Sequence, residues 1–247
     1  MTKMRTIIMA LGLMAASAIH AQQYKQLWIT GSAVPGGTQP LEKVSDNDFK
    51  FAGSLKAGEL KVITTKKIGK NTEFLTPAMP DANVVNHGIA LTASAEASAQ
   101  AWQVAFDDDH YRIHVYTDSK MLRGEVCVPW GELFIAGGAT DAGWKEGKML
   151  LMTQQLDNPY VWTWEGELRR HVGVEEPTSF KFQGQNRWFL KALYPYEQGT
   201  DILVDNRLRI GGKDTKWVIS KDGVYRITVD IFNEKVKAQW LRPIAIP

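Results

Sequence analysis

The side chains in this sequence that could carry covalent or acid–base chemistry are few, and their spacing defeats most of what they could do. A glycosidase needs two carboxylates facing one another across a cleft. The adjacent acids here, Glu175–Glu176 and the run Asp107–Asp109, read instead as solvated loop and turn residues. His110 and His114 fall on one face of an expected strand, but strand rise sets them about 13 Å apart, too far to share a metal ion. No nucleophile elbow, phosphate loop or cysteine–histidine zinc spacing occurs. The expectation is a protein that is not an enzyme, with no catalytic residue, cofactor or metal site.

Non-covalent chemistry is better provided for. The stretch GGATDAGW, residues 137–144, is a glycine- and alanine-rich loop ending in Trp144 with no apolar run around it. The chain writes nearly the same loop earlier, GSAVPGGT at 31–38, and ends it in Thr38. A second tryptophan, Trp188, sits between Arg187 and a short apolar run, with Lys191 close behind. Sugar rings present a face of C–H groups ringed by hydroxyls. An indole covers that face while cationic and amide side chains satisfy the hydroxyls in plane. Two indoles set at an angle would make a curved platform, which suits a helical glucan better than a flat crystalline chain.

The two loops belong to a complete internal repeat. LWITGSAVPGG (27–37) matches LFIAGGATDAG (133–143), DFKFAGSL (48–55) matches VWTWEGEL (161–168), and GELKV (58–62) matches TSFKF (178–182). TEFLTPAMP (72–80) lines up with RWFLKALYP (187–195), and AWQVAFDDDHYRIHV (101–115) with KWVISKDGVYRITV. YTDSKMLRGEVCVP (116–129) then runs without a gap against DIFNEKVKAQWLRP (230–243), and the second copy carries extra residues around 169–178. Each copy is a succession of short alternating runs broken by Gly, Pro, Asn or Asp about every ten residues, the pattern of an antiparallel sandwich. The fold class expected is therefore all-β, two tandem antiparallel β-sandwich domains of immunoglobulin-like or carbohydrate-binding type. They occupy 22–130 and 131–247, with a boundary near Pro129–Gly131.

Aromatics present in both copies read as core: Phe49 and Phe51 with Trp162 and Trp164, Trp102 with Trp217, Tyr111 with Tyr225. Cys127 falls where the second copy has Leu241 and reads as a small buried hydrophobe. Positions that differ point to function. Trp144 replaces Thr38, and in this alignment Trp188 replaces Glu73, Arg187 replaces Thr72 and Lys191 replaces Thr76. A core position cannot exchange Trp for Glu, because an unpaired buried carboxylate costs several kcal/mol, so the 73/188 position is expected to be exposed in both copies.

The ordered series LFIAGGATDAGW, PYVWTWEGEL, SFKF, RWF and VYRITVDI resembles the starch-binding modules of the SusE/SusF family of Bacteroidetes outer-membrane proteins. The likeness spans 131–243 and, more weakly, 27–129. It implies a non-enzymatic binder of starch-like α-glucan in a polysaccharide-utilisation system, working beside a TonB-dependent importer. Such sites take one aromatic from the loop after the first strand and another after the FKF-like strand. The resemblance thereby implicates Trp144 and Trp188, with Lys181, Arg187, Lys191 and Asn206 or Arg207 as polar partners, the first copy's site being degenerate. It is to a short form, without the family's lipobox cysteine or N-terminal immunoglobulin-like module. The alternative is a protein-interaction subunit of an import or secreted enzyme complex, docking through the same aromatics.

Bulk properties agree with an exported binding protein. Lys3 and Arg5 precede an apolar stretch and then ASAIHAQ, the layout of a secretory signal peptide over 1–21 with cleavage after Ala18 or Ala21. The product is expected in the periplasm, at the outer membrane or outside the cell, with no transmembrane segment. A net charge of +2 with mixed signs provides no attraction for nucleic acid. A single cysteine permits no internal disulfide, so packed apolar cores must supply the stability.

Overall fold

A computed structural model describes residues 24–94, 100–188 and 191–245. The expected signal peptide lies outside the described residues. Every regular element within them is a β-strand, and the pairing is antiparallel apart from the short contact of Thr200–Asp201 with Trp217–Val218 and the isolated bridge of Asn83 with Gln103. Among the described residues no helix is long and apolar enough to cross a membrane.

The two copies share one registered framework. Trp28 pairs with Ile63 and Thr30 with Lys61 in the first; Phe134 pairs with Gln183 and Ala136 with Lys181 in the second. The glycine that opens each repeated loop is demanded by crowding. A Cβ on Gly31 would collide with the Glu59 carbonyl, and one on Gly137 with the Ser179 carbonyl and the Phe180 backbone. Each loop is thus pinned against the strand beside it. Two cores result. Phe49, Phe51, Trp102 and Tyr111 pack in the first, and Trp162, Phe180, Phe182, Trp217 and Tyr225 in the second, with Trp164 half-buried at its edge. Each such ring contributes on the order of 2 kcal/mol or more. The buried tyrosines play the same part in both copies, Tyr111 donating to the Phe106 carbonyl at 2.8 Å and Tyr225 to the Lys221 carbonyl at 2.6 Å. Cys127 is buried in the second core, where loss of solvent pushes its thiol up to about 12, whereas its repeat counterpart Leu241 is exposed.

The copies differ in closure. In the first, strand Asn86–Ser94 pairs with Phe74–Pro77 on one side and Met121–Val126 on the other, joining both leaves into one ten-stranded sheet. In the second, the corresponding stretch is mostly turn: Arg209–Ile210 pairs with Ala192–Tyr194, Thr200–Asp201 pairs with Trp217–Val218, and Arg207 makes an isolated bridge to Lys235. Two sheets, of seven and four strands, therefore stay separate.

One stretch of the repeat runs in a different register from the one its letters indicate. Ile63 pairs with Phe74, but Gln183 pairs with Ala192, so Leu75 corresponds to Leu193, Thr76 to Tyr194 and Pro77 to Pro195. The amide of Thr64 donates to the Glu73 carbonyl, and that of Gly184 donates to the Lys191 carbonyl at 2.7 Å. Glu73 is thus the counterpart of Lys191, not of Trp188. The shared letters Phe–Leu lie three residues out of the structural register, so the expected exchanges of Trp188 for Glu73, Arg187 for Thr72 and Lys191 for Thr76 do not hold. Glu73 is half-buried and accepts from the Tyr24 hydroxyl at 3.1 Å.

The halves meet through buried charge. On the strand pair Asp48–Leu55 and Asp108–Tyr116, Asp48, Lys50, Arg112 and His114 turn away from the first core. The hairpin between Gly223–Asp230 and Lys235–Arg242 presses its tip residue Glu234 into them. Glu234 is 4% exposed; its Oε2 lies 2.9 Å from His114 Nε2 and 3.6 Å from Lys50 Nζ, and its Oε1 3.6 Å from Arg112 Nε. His114 Nδ1 stands 2.8 Å from Asp48, which also accepts from the Tyr196 hydroxyl at 2.9 Å. Arg112 donates to the Ile231 carbonyl and Lys50 to the Asn233 carbonyl. Burial alone would push the Glu234 carboxyl up. The facing His114, Arg112 and Lys50 outweigh it and hold it at about 2, while burial's downward pull on His114 is outweighed by Glu234 and Asp48, which raise it to about 9. Lys120, the counterpart of Glu234, has the same left-handed backbone at φ 50° and points into solvent.

Candidate functional site

Trp144 emerges at the neck of a pinched loop. Gly137 and Gly143 face one another as a bridge, the Gly137 amide donating to the Gly143 carbonyl at 3.2 Å, and the Thr140 hydroxyl closes the turn onto the Gly137 carbonyl at 2.9 Å. The extra residues 169–178 then fold over this loop. The Arg169 amide donates to the Ala139 carbonyl at 3.0 Å, the Arg169 guanidinium pairs with Asp141 at 2.8 Å, and the Glu175 carbonyl accepts from the indole Nε1 of Trp144 at 2.9 Å. Gly138 lets the insertion approach, since any side chain there would strike the Glu175 and Glu176 carbonyls. The first copy lacks both the indole and the segment that orients it.

Trp188 follows the FKF strand and lies half-buried on Phe134, Ala136 and Met149, an apolar patch on the far side of the sheet from the main core. Its ring centre is 6.2 Å from that of Trp144, with the planes inclined at 45°. The pair bounds a cavity of about 400 Å³, with Tyr194 and Gln183 also lining it. Two lysines hold the rings from the protein side. Lys181 Nζ lies 4.9 Å from the Trp188 ring centre, 5.4 Å from that of Tyr194 and 2.8 Å from Asp214. Lys216 Nζ lies 5.6 Å from the Trp144 ring centre and pairs with Glu176 at 3.5 Å and Asp214 at 3.6 Å. The chain Lys181–Asp214–Lys216–Glu176 is charge-balanced and exposed Glu175 adds one more carboxylate to the lining, so the pocket offers polar donors and acceptors with little net charge.

Of the residues expected at the site, Trp144, Trp188 and Lys181 come together here. Arg187 is exposed next to Trp188 and outside the lining. Lys191 lies over the Trp130 ring at 5.6 Å and lines a different cavity. Arg207 grips Asp205, donates to the Val44 carbonyl at 2.8 Å and flanks Tyr196, so it belongs to the seam between the halves. Exposed Asn206 holds the Val236 amide through its carbonyl in the same region. Glu175 and Glu176, expected in a solvated loop, both line the pocket, Glu175 exposed and Glu176 half-buried.

Sequence reasoning missed Gln183, Tyr194, Asp214, Lys216, Glu175 and Glu176. A signal existed for some of them. Lys216 precedes Trp217 where the first copy has Ala101 before Trp102, and Gln183 stands where the first copy has Ile63. Tyr194 was hidden by the slipped alignment.

The sequence matches no family model and no curated protein. Among solved structures, the chain is similar to SusF from Bacteroides thetaiotaomicron, at 12% identity and a TM-score of 0.35, over 88% of this chain and 48% of that one. This chain therefore spans about half the length of that protein.

Proposed function

We propose that the protein is a non-catalytic glycan-binding protein of two β-sandwich modules, the C-terminal one holding sugar rings against Trp144 and Trp188. The observation that carries this reading is the shared cavity of two indoles 6.2 Å apart and inclined at 45°. Rings that close leave no room for a sugar ring between them, so the pair acts as a bent ledge. Adjacent residues of a curved chain lie across the bend, and the lysines, carboxylates and Gln183 meet their hydroxyls at the ledge's edge. Fixed aromatic rings lose little entropy on binding, so a shallow site of this kind works at modest affinity. Glu176 and Asp214 are engaged by lysines and serve as hydrogen-bonding groups, not as an acid–base pair.

The ligand class is a neutral polysaccharide, and starch-like α-glucan is the member favoured by the motif series around Trp144. Within this proposal the protein is exported and works at the outer membrane of a polysaccharide-utilisation system, beside a TonB-dependent importer. Affinity electrophoresis in native gels containing amylopectin tests it. The wild-type chain is expected to be retarded and Trp144→Ala to run free. An unretarded wild-type chain that co-purifies with another protein, and loses it on Trp144→Ala, would replace glycan binding by the docking role.

A further inference from the structure

Gln183 closes the strand Ser179–Gln183 and lines the aromatic pocket. Alternation along that strand sends Phe180 and Phe182 into the core and turns Lys181 and Gln183 to the pocket face. Gln183 is 1% exposed, yet its Oε1 has no hydrogen-bond partner among the described residues. A buried carbonyl oxygen without a donor is destabilising and is uncommon in native proteins. The fold does not require it, because the repeat shows what the scaffold does without a ligand. Ile63 occupies the same register, opposite Trp28 as Gln183 is opposite Phe134, and is fully buried. The copy with the two indoles thus has an unused acceptor at the pocket wall, and the copy without them has a hydrocarbon.

We propose that Gln183 is the specificity-determining residue of the pocket, its Oε1 accepting a hydrogen bond from an unsubstituted hydroxyl of the sugar ring stacked on the indoles. This rests on the glycan-binding reading above and sharpens its ligand class. A hydroxyl is donor and acceptor at once. It gives its proton to Oε1 and accepts from the neighbouring Lys181 ammonium, whose own carboxylate partner Asp214 is 2.8 Å away. An ether at that position has no proton to give. The site therefore selects rings with a free hydroxyl at this edge and rejects O-alkylated and O-acylated ones.

Isothermal titration of the full chain with β-cyclodextrin and with heptakis(2,6-di-O-methyl)-β-cyclodextrin tests the assignment. The variants are Gln183→Ile, copied from the first repeat, and Gln183→Met, which keeps the side-chain length. Each variant is expected to bind the parent cyclodextrin about tenfold more weakly and to lose the wild-type preference over the methylated ring by the same factor. The thermal midpoint of Gln183→Ile is expected to equal or exceed the wild-type value. Should Gln183→Ile fail to fold, Gln183→Met decides alone. Folded variants with wild-type affinity, or with equal losses for both rings, overturn the role of Gln183 and leave the pocket reading standing. A wild-type chain that binds neither cyclodextrin nor maltoheptaose overturns both.

Discussion

Replacing Glu234 with glutamine keeps the shape of the hairpin tip and removes the charge that three cations face. The cost can be worked from either side of the His114–Glu234 pair. His114 is raised from 6.5 to about 9, and Glu234 is lowered from 4.5 to about 2. At about 1.4 kcal/mol per unit, each shift amounts to about 3 kcal/mol. Both describe largely the same contact and are not added. Both groups are almost wholly buried, so solvent screening removes little. The signs differ. His114 gains its proton more readily when folded, so its contribution is complete below about pH 6.5 and disappears as pH rises through about 9. Glu234 loses its proton more readily when folded, so its contribution is complete above about pH 4.5 and disappears as pH falls towards about 2. The stability difference between wild type and Glu234→Gln is therefore expected to be a plateau of about 3 kcal/mol from pH 4.5 to 6.5, declining on both flanks. Urea unfolding at half-unit pH steps measures it; urea is preferred to guanidinium because it adds no screening ions. A difference that stays flat from pH 6.5 to 9.5, or that grows with pH, refutes the assignment of a protonated His114 at the seam.

Other consequences are as direct. Trp144→Ala is expected to abolish amylopectin retardation with a loss of stability below about 1.5 kcal/mol, because the ring is only half-buried; Trp217→Ala in the core is expected to cost about 3–5 kcal/mol, both measured by urea denaturation. Gly137→Ala should destabilise the loop by more than about 1 kcal/mol and weaken retardation, whereas Gly31→Ala should destabilise comparably and leave retardation untouched. Equal binding losses from the two glycine variants would refute a site confined to the C-terminal half. Cys127, buried and with its thiol pushed up to about 12, should react with a disulfide reagent at pH 8 only as fast as the protein unfolds. Rapid reaction of the native chain would contradict its burial.

The framework and three of the pocket's residues, Trp144, Trp188 and Lys181, were legible from residues alone, and the physical reason is local. Two-residue alternation, glycines where a Cβ cannot fit and tyrosines that recur beside the same turn are properties of a strand and its immediate neighbours. They repeat wherever the same local problem is solved twice, as with Gly31 and Gly137 or Tyr111 and Tyr225. Trp144 stood out because the copy of its loop ends in threonine. Tertiary structure alone decided the rest. Phe–Leu letters at 74–75 and 189–190 implied one register, and cross-strand hydrogen bonding selected another three residues away, because pairing is set by the whole sheet. Tyr194, Lys216 and Glu176 reach one cavity from three separate segments, a convergence that no spacing along the chain encodes. Glu234 illustrates the limit most sharply. Its counterpart Lys120, with the same turn and the same backbone conformation, points into water, while Glu234 is buried because the other half of the chain brings His114, Arg112 and Lys50 to meet it. Whether a hairpin tip is surface or core depends on what lies across from it, and that is a property of the packed molecule.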